Sequence, residues 1–223
     1  MNPLILAIDT THESGSLALA RGEELIQEIS LDAPGGFAHV IYRHLAQLLD
    51  GHGVKPAMVD CFAAASGPGS FTGVRVGLAC IKGLADALGK PAVAVSNLEA
   101  VASFGSARLR AVVLDARRGE VYGAVYDDSG RLAAPEVVTK FRVWLATLPE
   151  GDIEFVSTDF TPFRAALAGT RFEHARVATA PRALAAAVAR IALARLLRGE
   201  ASDPAALDAN YVRRSDAELF WKE

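Results

Sequence analysis

Short apolar runs, cut by polar turns, alternate along the chain with two segments of helical periodicity. Leu4–Ile8 is an apolar run ending in Asp9, and a polar loop follows at Thr10–Gly15. Ser16–Ala20 and Leu25–Ser30 then read as strands joined at Arg21–Gly22, a hairpin pattern. Gly36–Leu49 places Phe37, Val40, Ile41, Leu45, Leu48 and Leu49 at helical spacing. Val59–Ala65 reads as a buried strand. A Gly-rich turn, a long helix at Thr72–Leu88 and a strand at Ala92–Val95 complete the first half.

The same order recurs further on. Ala111–Leu114 is an apolar run ending in Asp115, followed by a polar loop at Ala116–Glu120. Val121–Tyr126, a turn at Asp127–Gly130 and a run ending near Val138 come next. A helix near Arg142–Thr147 carries Trp144, which suits a core. A strand at Ile153–Ser157, a short helix at Thr161–Ala168 and a strong helix at Pro181–Leu197 close the chain, the proline suiting a first helical turn. Both copies read strand, Asp, polar loop, strand, turn, strand. This weak duplication predicts an α/β fold of two halves with mixed sheets and a cleft between them. The boundary falls near Ser103–Arg108, giving halves of 1–104 and 105–223, with the C-terminal tail free to pack back on the first.

Composition narrows the function classes. The 223 residues are 51% hydrophobic and 22% charged, which excludes a disordered chain. Two cysteines, Cys61 and Cys80, exclude a disulfide scaffold and a cysteine-based zinc site. The net charge of −3 argues against a dedicated nucleic-acid grip. No signal-peptide pattern opens the chain, and Ala183–Leu197 is too short to span a bilayer. A soluble cytoplasmic protein without a membrane partner is expected.

Three stretches carry candidate chemistry. Asp9-Thr10-Thr11 ends the first strand, where open α/β sheets bind ligands. These side chains suit a metal-bound phosphate, and equally the capping of a hairpin turn. The second loop carries Asp115, Arg117 and Arg118, with arginines where small residues would let backbone approach a phosphate. They suit an anion, a protein carboxylate or plain solvation. Gly67–Gly77 (GPGSFTGVRVG) joins a buried strand to a helix. Its amides suit an anion, although the pattern is not a P-loop. Gly73 and Gly77 also lie one turn apart, where bare backbone admits close packing.

That helix is apolar on two sides. Val74, Leu78, Ile81, Ala85 and Leu88 form one stripe; Val76, Cys80 and Leu84 form another. One side suits the helix's own sheet and the other a partner. His39 and His44 are five apart and diverge by about 140°, so they do not chelate one metal. No catalytic residue and no metal site is assigned.

Four stretches resemble the TsaB family, formerly YeaZ: Ile5–Thr11 (ILAIDTT), Gly67–Gly77, Leu114–Tyr122 (LDARRGEVY) and Tyr211–Arg214 (YVRR). Ser96-Asn-Leu-Glu-Ala matches as well. The matches run in order along the chain. One departure is Ala209, where family members carry proline two residues before the tyrosine.

The resemblance implies an actin-like, sugar-kinase-like ATPase fold of two ribonuclease-H-like halves, the second reduced. It implies a non-catalytic paralogue of TsaD, the threonylcarbamoyl transferase. Family members pair with TsaD, and with the ATPase TsaE, in making N6-threonylcarbamoyladenosine beside the anticodon of tRNA. They also self-pair when alone. The pairing helices map to about Gly36–Leu49 and Thr72–Leu88, so the expected interface is Phe37, Val40, Ile41, His44, Gly73, Val74, Gly77, Leu78, Ile81 and Lys82. Asp9, Thr10, Thr11, Asp115, Arg117 and Arg118 become degenerate phosphate-loop residues. No cofactor is expected on this chain alone. ATP or ADP at the assembled complex, and contact of Arg117, Arg118, Arg213 or Arg214 with tRNA, stay open. Two alternatives remain: a nucleotide-binding phosphotransferase or ATPase using an Asp9–Asp115 cleft, and a metallopeptidase.

Overall fold

The computed structural model describes residues 2–213. Two compact units make up the chain. Among the described residues, the first comprises 2–100 together with Arg182–Asn210; the second comprises Val101–Pro181 and 211–213.

The first unit is built on β1 (Leu4–Asp9), β2 (Ser14–Arg21), β3 (Glu24–Asp32), β4 (Cys61–Ala65) and β5 (Ala92–Val95). The sheet order is β3-β2-β1-β4-β5. β1 to β3 form an antiparallel meander, and β1, β4 and β5 run parallel. Every residue of β1 is buried, as an apolar run in a central strand requires. Its side chains alternate between two cores. Leu4, Leu6 and Ile8 join the core beneath α1 (Ile41–Gly51) and α2 (Phe71–Leu88). Ile5 and Ala7 join the core beneath a helix near the C-terminus.

α2 starts at Ser70, whose hydroxyl accepts from the Gly73 amide at 3.2 Å. It stops at Gly89, which takes the left-handed φ of 61°. α1 is shorter than its periodicity suggests, because Phe37–His39 forms a separate 3-10 turn. A short helix, α3 (Asn97–Ala102), follows β5.

The second unit repeats the plan. β6 (Leu109–Asp115), β7 (Glu120–Asp127) and β8 (Leu132–Lys140) form the meander, and β9 (Ile153–Ser157) and β10 (Arg176–Thr179) run parallel to β6. The order β10-β9-β6-β7-β8 reproduces the first sheet. The helices are reduced: α4 (Phe141–Thr147) has 7 residues against 11 in α1, and α5 (Thr161–Arg164) has 4 against 18 in α2. An aromatic cluster of Phe141, Trp144, Phe155, Phe160, Phe163 and Phe172 fills this core. Trp144 is 3% exposed and lies against Gly123, where an added Cβ would meet the indole at 2.5 Å.

The division differs from the expected contiguous halves. It falls at Ala100–Val101, and α6 (Ala185–Leu197) belongs to the first unit. The physical reason is twofold. Ala185, Ala189 and Ala192 of α6 meet Ala7, Ala18, Ala63 and Ala65 of the first sheet, so small residues on both surfaces let the helix lie close. The start of α6 is also capped from that sheet. Ser16 Oγ accepts from the Leu184 and Ala185 amides at 3.2 and 3.0 Å, and Glu28 Oε1 accepts from Ala186 at 2.8 Å. These acceptors fix the start four residues after Pro181, not at it.

Residues 202–210 stay with the first unit. Ser202 bridges Ala92 on the edge of β5, Leu207 enters the core, and the Asn210 amide donates to Ser66 O at 2.8 Å. At the departure from the family pattern, the Ala209 N–H donates to Asp208 Oδ1 at 2.7 Å, a bond that proline could not make.

Candidate functional site

In the first unit, the loop after β1 and the start of α2 interlock. Asp9, Thr10 and Thr11 are each 1% exposed. Asp9 Oδ1 accepts from the Thr11 amide at 2.9 Å and from its hydroxyl at 2.6 Å. Asn97 Nδ2 donates to that hydroxyl oxygen at 2.6 Å, and Asn97 Oδ1 accepts from the Gly67 amide at 2.9 Å. His12 Nδ1 lies 2.9 Å from the same oxygen. A hydroxyl has one proton, and here it points to Asp9, so the His12 nitrogen is the donor in that contact. Asn97 is fully buried and ties the loop to the turn before α2. Its signal in the sequence was the Ser96-Asn-Leu-Glu-Ala match alone.

The glycines of Gly67–Gly77 face this loop. A Cβ on Gly69 would lie 2.4 Å from Thr11 O, one on Gly73 1.9 Å from Thr10 O, and one on Gly77 2.6 Å from Thr10 Oγ1. Thr10 Oγ1 donates to Gly73 O at 2.7 Å. Three amides around the helix start have partners of their own: the Ser70 amide donates to Thr11 O at 2.7 Å, Gly73 to Ser70 Oγ and Val74 to Ser70 O. These amides are therefore not available to an anion. Among the described residues, Asp9 Oδ2 is a buried side-chain oxygen without a hydrogen-bond partner. Such an orphaned carboxylate oxygen is costly and marks a place where a proton, water or cation would be stabilising.

In the second unit, Asp115 Oδ1 accepts from the Arg117 amide at 2.8 Å, the same two-residue turn that Asp9 makes with Thr11. Here the loop is exposed. Arg117 and Arg118 both take left-handed φ values, 63° and 57°, and Gly119 follows at 75°. Arg213 Nη1 donates to Ala116 O at 2.8 Å, pairs with Glu120 and lies over the Tyr122 ring. Burial pushes the Tyr122 phenol up, against the pull of the Arg213 charge. Arg214 lies outside the described residues. Asp9 and Asp115 each sit in their own unit.

The residues expected at the partner surface divide by burial. Phe37, Ile41, Val74, Leu78 and Ile81 are buried in the first unit's own core. Gly73 and Gly77 face Thr10 rather than a partner. Val40, His44 and Lys82 are half-buried. His44 Nδ1 lies 3.0 Å from Val40 O, and Lys82 Nζ donates to Leu207 O at 2.8 Å. Apolar periodicity locates the core face of each helix, and the solvent-exposed face lies on the opposite side.

On α2 that surface is Thr72, Arg75, Val76, Ala79 and Gly83, at spacings of three and four, with Val76 half-buried and the others exposed. Arg75 stacks over Phe71 at 3.7 Å from the ring centroid, and Phe71 is 45% exposed. Tyr42 of α1 is 62% exposed, and the neighbouring Cys80 of α2 pushes its phenol up. Burial pushes the Cys80 thiol up to about 11, with the Tyr42 hydrogen bond opposing. Among the described residues, no group of three or more His, Cys, Asp or Glu is placed to hold a metal ion, and no helix is long and apolar enough to cross a membrane.

Two ribonuclease-H-like halves of identical strand order, the second reduced, define the actin-like, sugar-kinase-like ATPase fold. A family model described as TsaD, tRNA N6-adenosine threonylcarbamoyltransferase, matches residues 34–210. The tRNA threonylcarbamoyladenosine biosynthesis protein TsaB of Bacillus subtilis (strain 168) is 34% identical over 153 residues, which span 66% of this chain and 67% of that protein. A crystal structure from Pseudomonas aeruginosa, described as an uncharacterized protein with similarity to peptidase YEAZ, has a TM-score of 0.79 at 28% identity. The match covers 95% of this chain and 100% of that one. Component A of (R)-2-hydroxyglutaryl-CoA dehydratase from Acidaminococcus fermentans, with a TM-score of 0.54 at 10% identity over 87% of this chain and 99% of its own, shares the fold alone. The chain belongs to the TsaB (YeaZ) family.

Proposed function

We propose that this chain is a non-catalytic partner subunit in the N6-threonylcarbamoyladenosine modification of tRNA. In this reading it pairs with a TsaD-like threonylcarbamoyl transferase and works with a TsaE-like ATPase. The observation that carries it is the B. subtilis TsaB relationship, joined to a family model of the transferase itself over residues 34–210. A chain similar to both a biosynthesis protein and the transferase is what a paralogous partner would look like.

The geometry supports a pairing role. The surface of α2 carries the exposed small residues Ala79 and Gly83, and Phe71 of α2 and Tyr42 of α1 are exposed aromatics. A Cβ on Gly83 would meet nothing, so this face is open to close approach by another helix. The phosphate-loop positions of the first unit are closed around their own hydrogen bonds, which supports a role without nucleotide chemistry on this chain alone. Any ATP or ADP then belongs to the assembled complex.

A second reading has one observation in its favour. Asp9 Oδ2, buried and without a partner among the described residues, suits a phosphotransferase that completes its site with a cation-bound nucleotide. It requires the isolated chain to bind Mg-ATP.

The test is deletion of the gene, with tRNA nucleosides measured by mass spectrometry. Loss of N6-threonylcarbamoyladenosine, restored by the wild-type chain and by an Asp9→Asn chain, supports the partner role. Persistence of the modification would overturn it. Failure of Asp9→Asn to restore it, while it still folds, would favour the second reading.

A further inference from the structure

We infer that the outer edge of β3 docks an extended segment of a partner protein in which apolar and basic residues alternate, added beside β3 as a further strand of the first sheet. This goes beyond the proposed pairing role, which uses the surface of α2.

Each sheet ends in two edge strands, β3 and β5 in the first unit and β10 and β8 in the second. An edge strand presents backbone N–H and C=O groups that another chain can pair with, and proteins commonly blunt such edges. Three of these edges are blunted. β5 has 4 residues and is bridged by Ser202, with the Ala92 amide donating to Ser202 O at 3.0 Å and the Ser202 amide to Ala92 O at 2.9 Å. β10 has 4 residues. β8 carries Pro135 within its span, which has no N–H to give. β3 differs from all three. It runs for 9 residues without a proline, and among the described residues no strand pairs with its outer edge. A bulge at Ile26 disturbs its start, where Ala20 pairs with Leu25 and Leu19 with Gln27. From Gln27 to Asp32 the register with β2 is regular, leaving an open edge about 20 Å long.

The two faces of that stretch differ in chemistry. Gln27, Ile29 and Leu31 pair with Leu19, Leu17 and Gly15 on the side of the core beneath α1. Leu31 is 1% exposed, and Ile29 is half-buried against that core. Glu28, Ser30 and Asp32 pair with Ala18, Ser16 and Ser14 on the other side, where Ser30 and Asp32 are exposed and Glu28 is half-buried. A strand added beside β3 sets every second side chain next to Ile29 and Leu31, where an apolar group extends the core. Its alternate side chains stand beside Glu28 and Asp32. Opposite charges on adjacent strands stabilise a sheet, and like charges destabilise it. The occupant is therefore apolar at every second position and basic in between, held by main-chain hydrogen bonds and selected by its alternate side chains. The same charges disfavour a second copy of this chain, because antiparallel pairing of β3 with itself about Ser30 sets Glu28 opposite Asp32 twice. Glu28 Oε1 also accepts from the Ala186 amide, so Asp32 is the residue to vary.

The experiment uses the full chain and a fluorescein-labelled synthetic peptide, Val-Lys-Val-Lys-Val-Lys-Val, with Val-Val-Val-Val-Lys-Lys-Lys as a control of equal composition. Affinity is read by fluorescence anisotropy and the site by amide hydrogen exchange. The alternating peptide should bind more tightly than the control and slow exchange at alternate amides of Gln27–Asp32. Asp32→Lys should unfold at the wild-type temperature and weaken the peptide by about three- to tenfold. Should Asp32→Lys fail to fold, Ser30→Lys on the same face gives the same reading, with the same expected loss. No binding, equal binding of the two peptides, or no protection in β3 overturns the inference. Unchanged affinity in the folded lysine variant overturns it as well. Protection of β3 that grows with protein concentration in the absence of peptide assigns the edge to a second copy and overturns it. Pairing through α2 is read separately, in Ala79→Glu, so either claim can fail without the other.

Discussion

Thr10 Oγ1 donates to Gly73 O at 2.7 Å, and a methyl group on Gly73 would lie 1.9 Å from the Thr10 carbonyl oxygen. The loop after the first strand and the first turn of α2 are therefore in backbone contact. Gly73→Ala must separate them and should cost more than about 3 kcal/mol, or prevent folding. Gly83 is the control on the same helix, since its added Cβ meets nothing. Gly83→Ala should stabilise the isolated chain by about 0.5–1 kcal/mol through helix propensity. Urea unfolding of both variants checks this; equal effects would contradict the contact.

The proposed pairing surface separates from the core by one step around α2. Ala79→Glu places a charge on the exposed face and should leave folding within about 0.5 kcal/mol of wild type while abolishing pairing. Leu78→Glu buries a charge in the unit's own core and should unfold it outright. Circular dichroism with chromatography distinguishes the two. A folded Ala79→Glu chain that pairs normally would place the partner elsewhere.

Ser16 is the cap of a helix that starts 169 positions later. Its hydroxyl oxygen accepts from the Leu184 and Ala185 amides. Ser16→Ala should cost about 1–2 kcal/mol, and faster hydrogen exchange should be confined to the first turn of α6. Uniform exchange along the chain would show that the cap does not matter.

Glu154 pins the start of β6. Its Oε2 accepts from the Ser106 amide at 2.5 Å and the Ala107 amide at 3.0 Å. Burial by itself would raise its pKa; the amides of Ala107 and Ser106 outweigh that and hold it below the ordinary glutamate value. A depressed carboxylate contributes stability in full above its unfolded pKa and loses it as pH falls through the folded one. Glu154→Gln should be less stable at pH 7 by about 1.5–3 kcal/mol, and the gap should close in acid below about pH 4. A gap independent of pH would contradict this account.

Much of the fold was legible because short runs, Asp-ended strands and glycine turns are local signals. β1 to β3 and β6 to β8 follow them closely, and Trp144 lies in the core as its helix predicted. The allegiance of α6 was not legible, because an alanine-rich apolar helix fits any small-residue sheet. Its deciding partners, Ser16 and Glu28, lie on distant strands. The glycine spacing at Gly73 and Gly77 did announce close approach, but only the fold identifies Thr10 as the group approaching. Apolar periodicity marks what is buried, so it chose Leu78 and Ile81 over Tyr42 and Ala79, whose exposure follows from where the helices pack.

The central claim is that this chain serves by pairing. Light scattering on a sizing column, for the chain alone and mixed with its TsaD-like paralogue, tests it most directly. The account predicts a self-dimer that exchanges into a heterodimer, with both species lost in Ala79→Glu. A monomer that ignores the paralogue would contradict it.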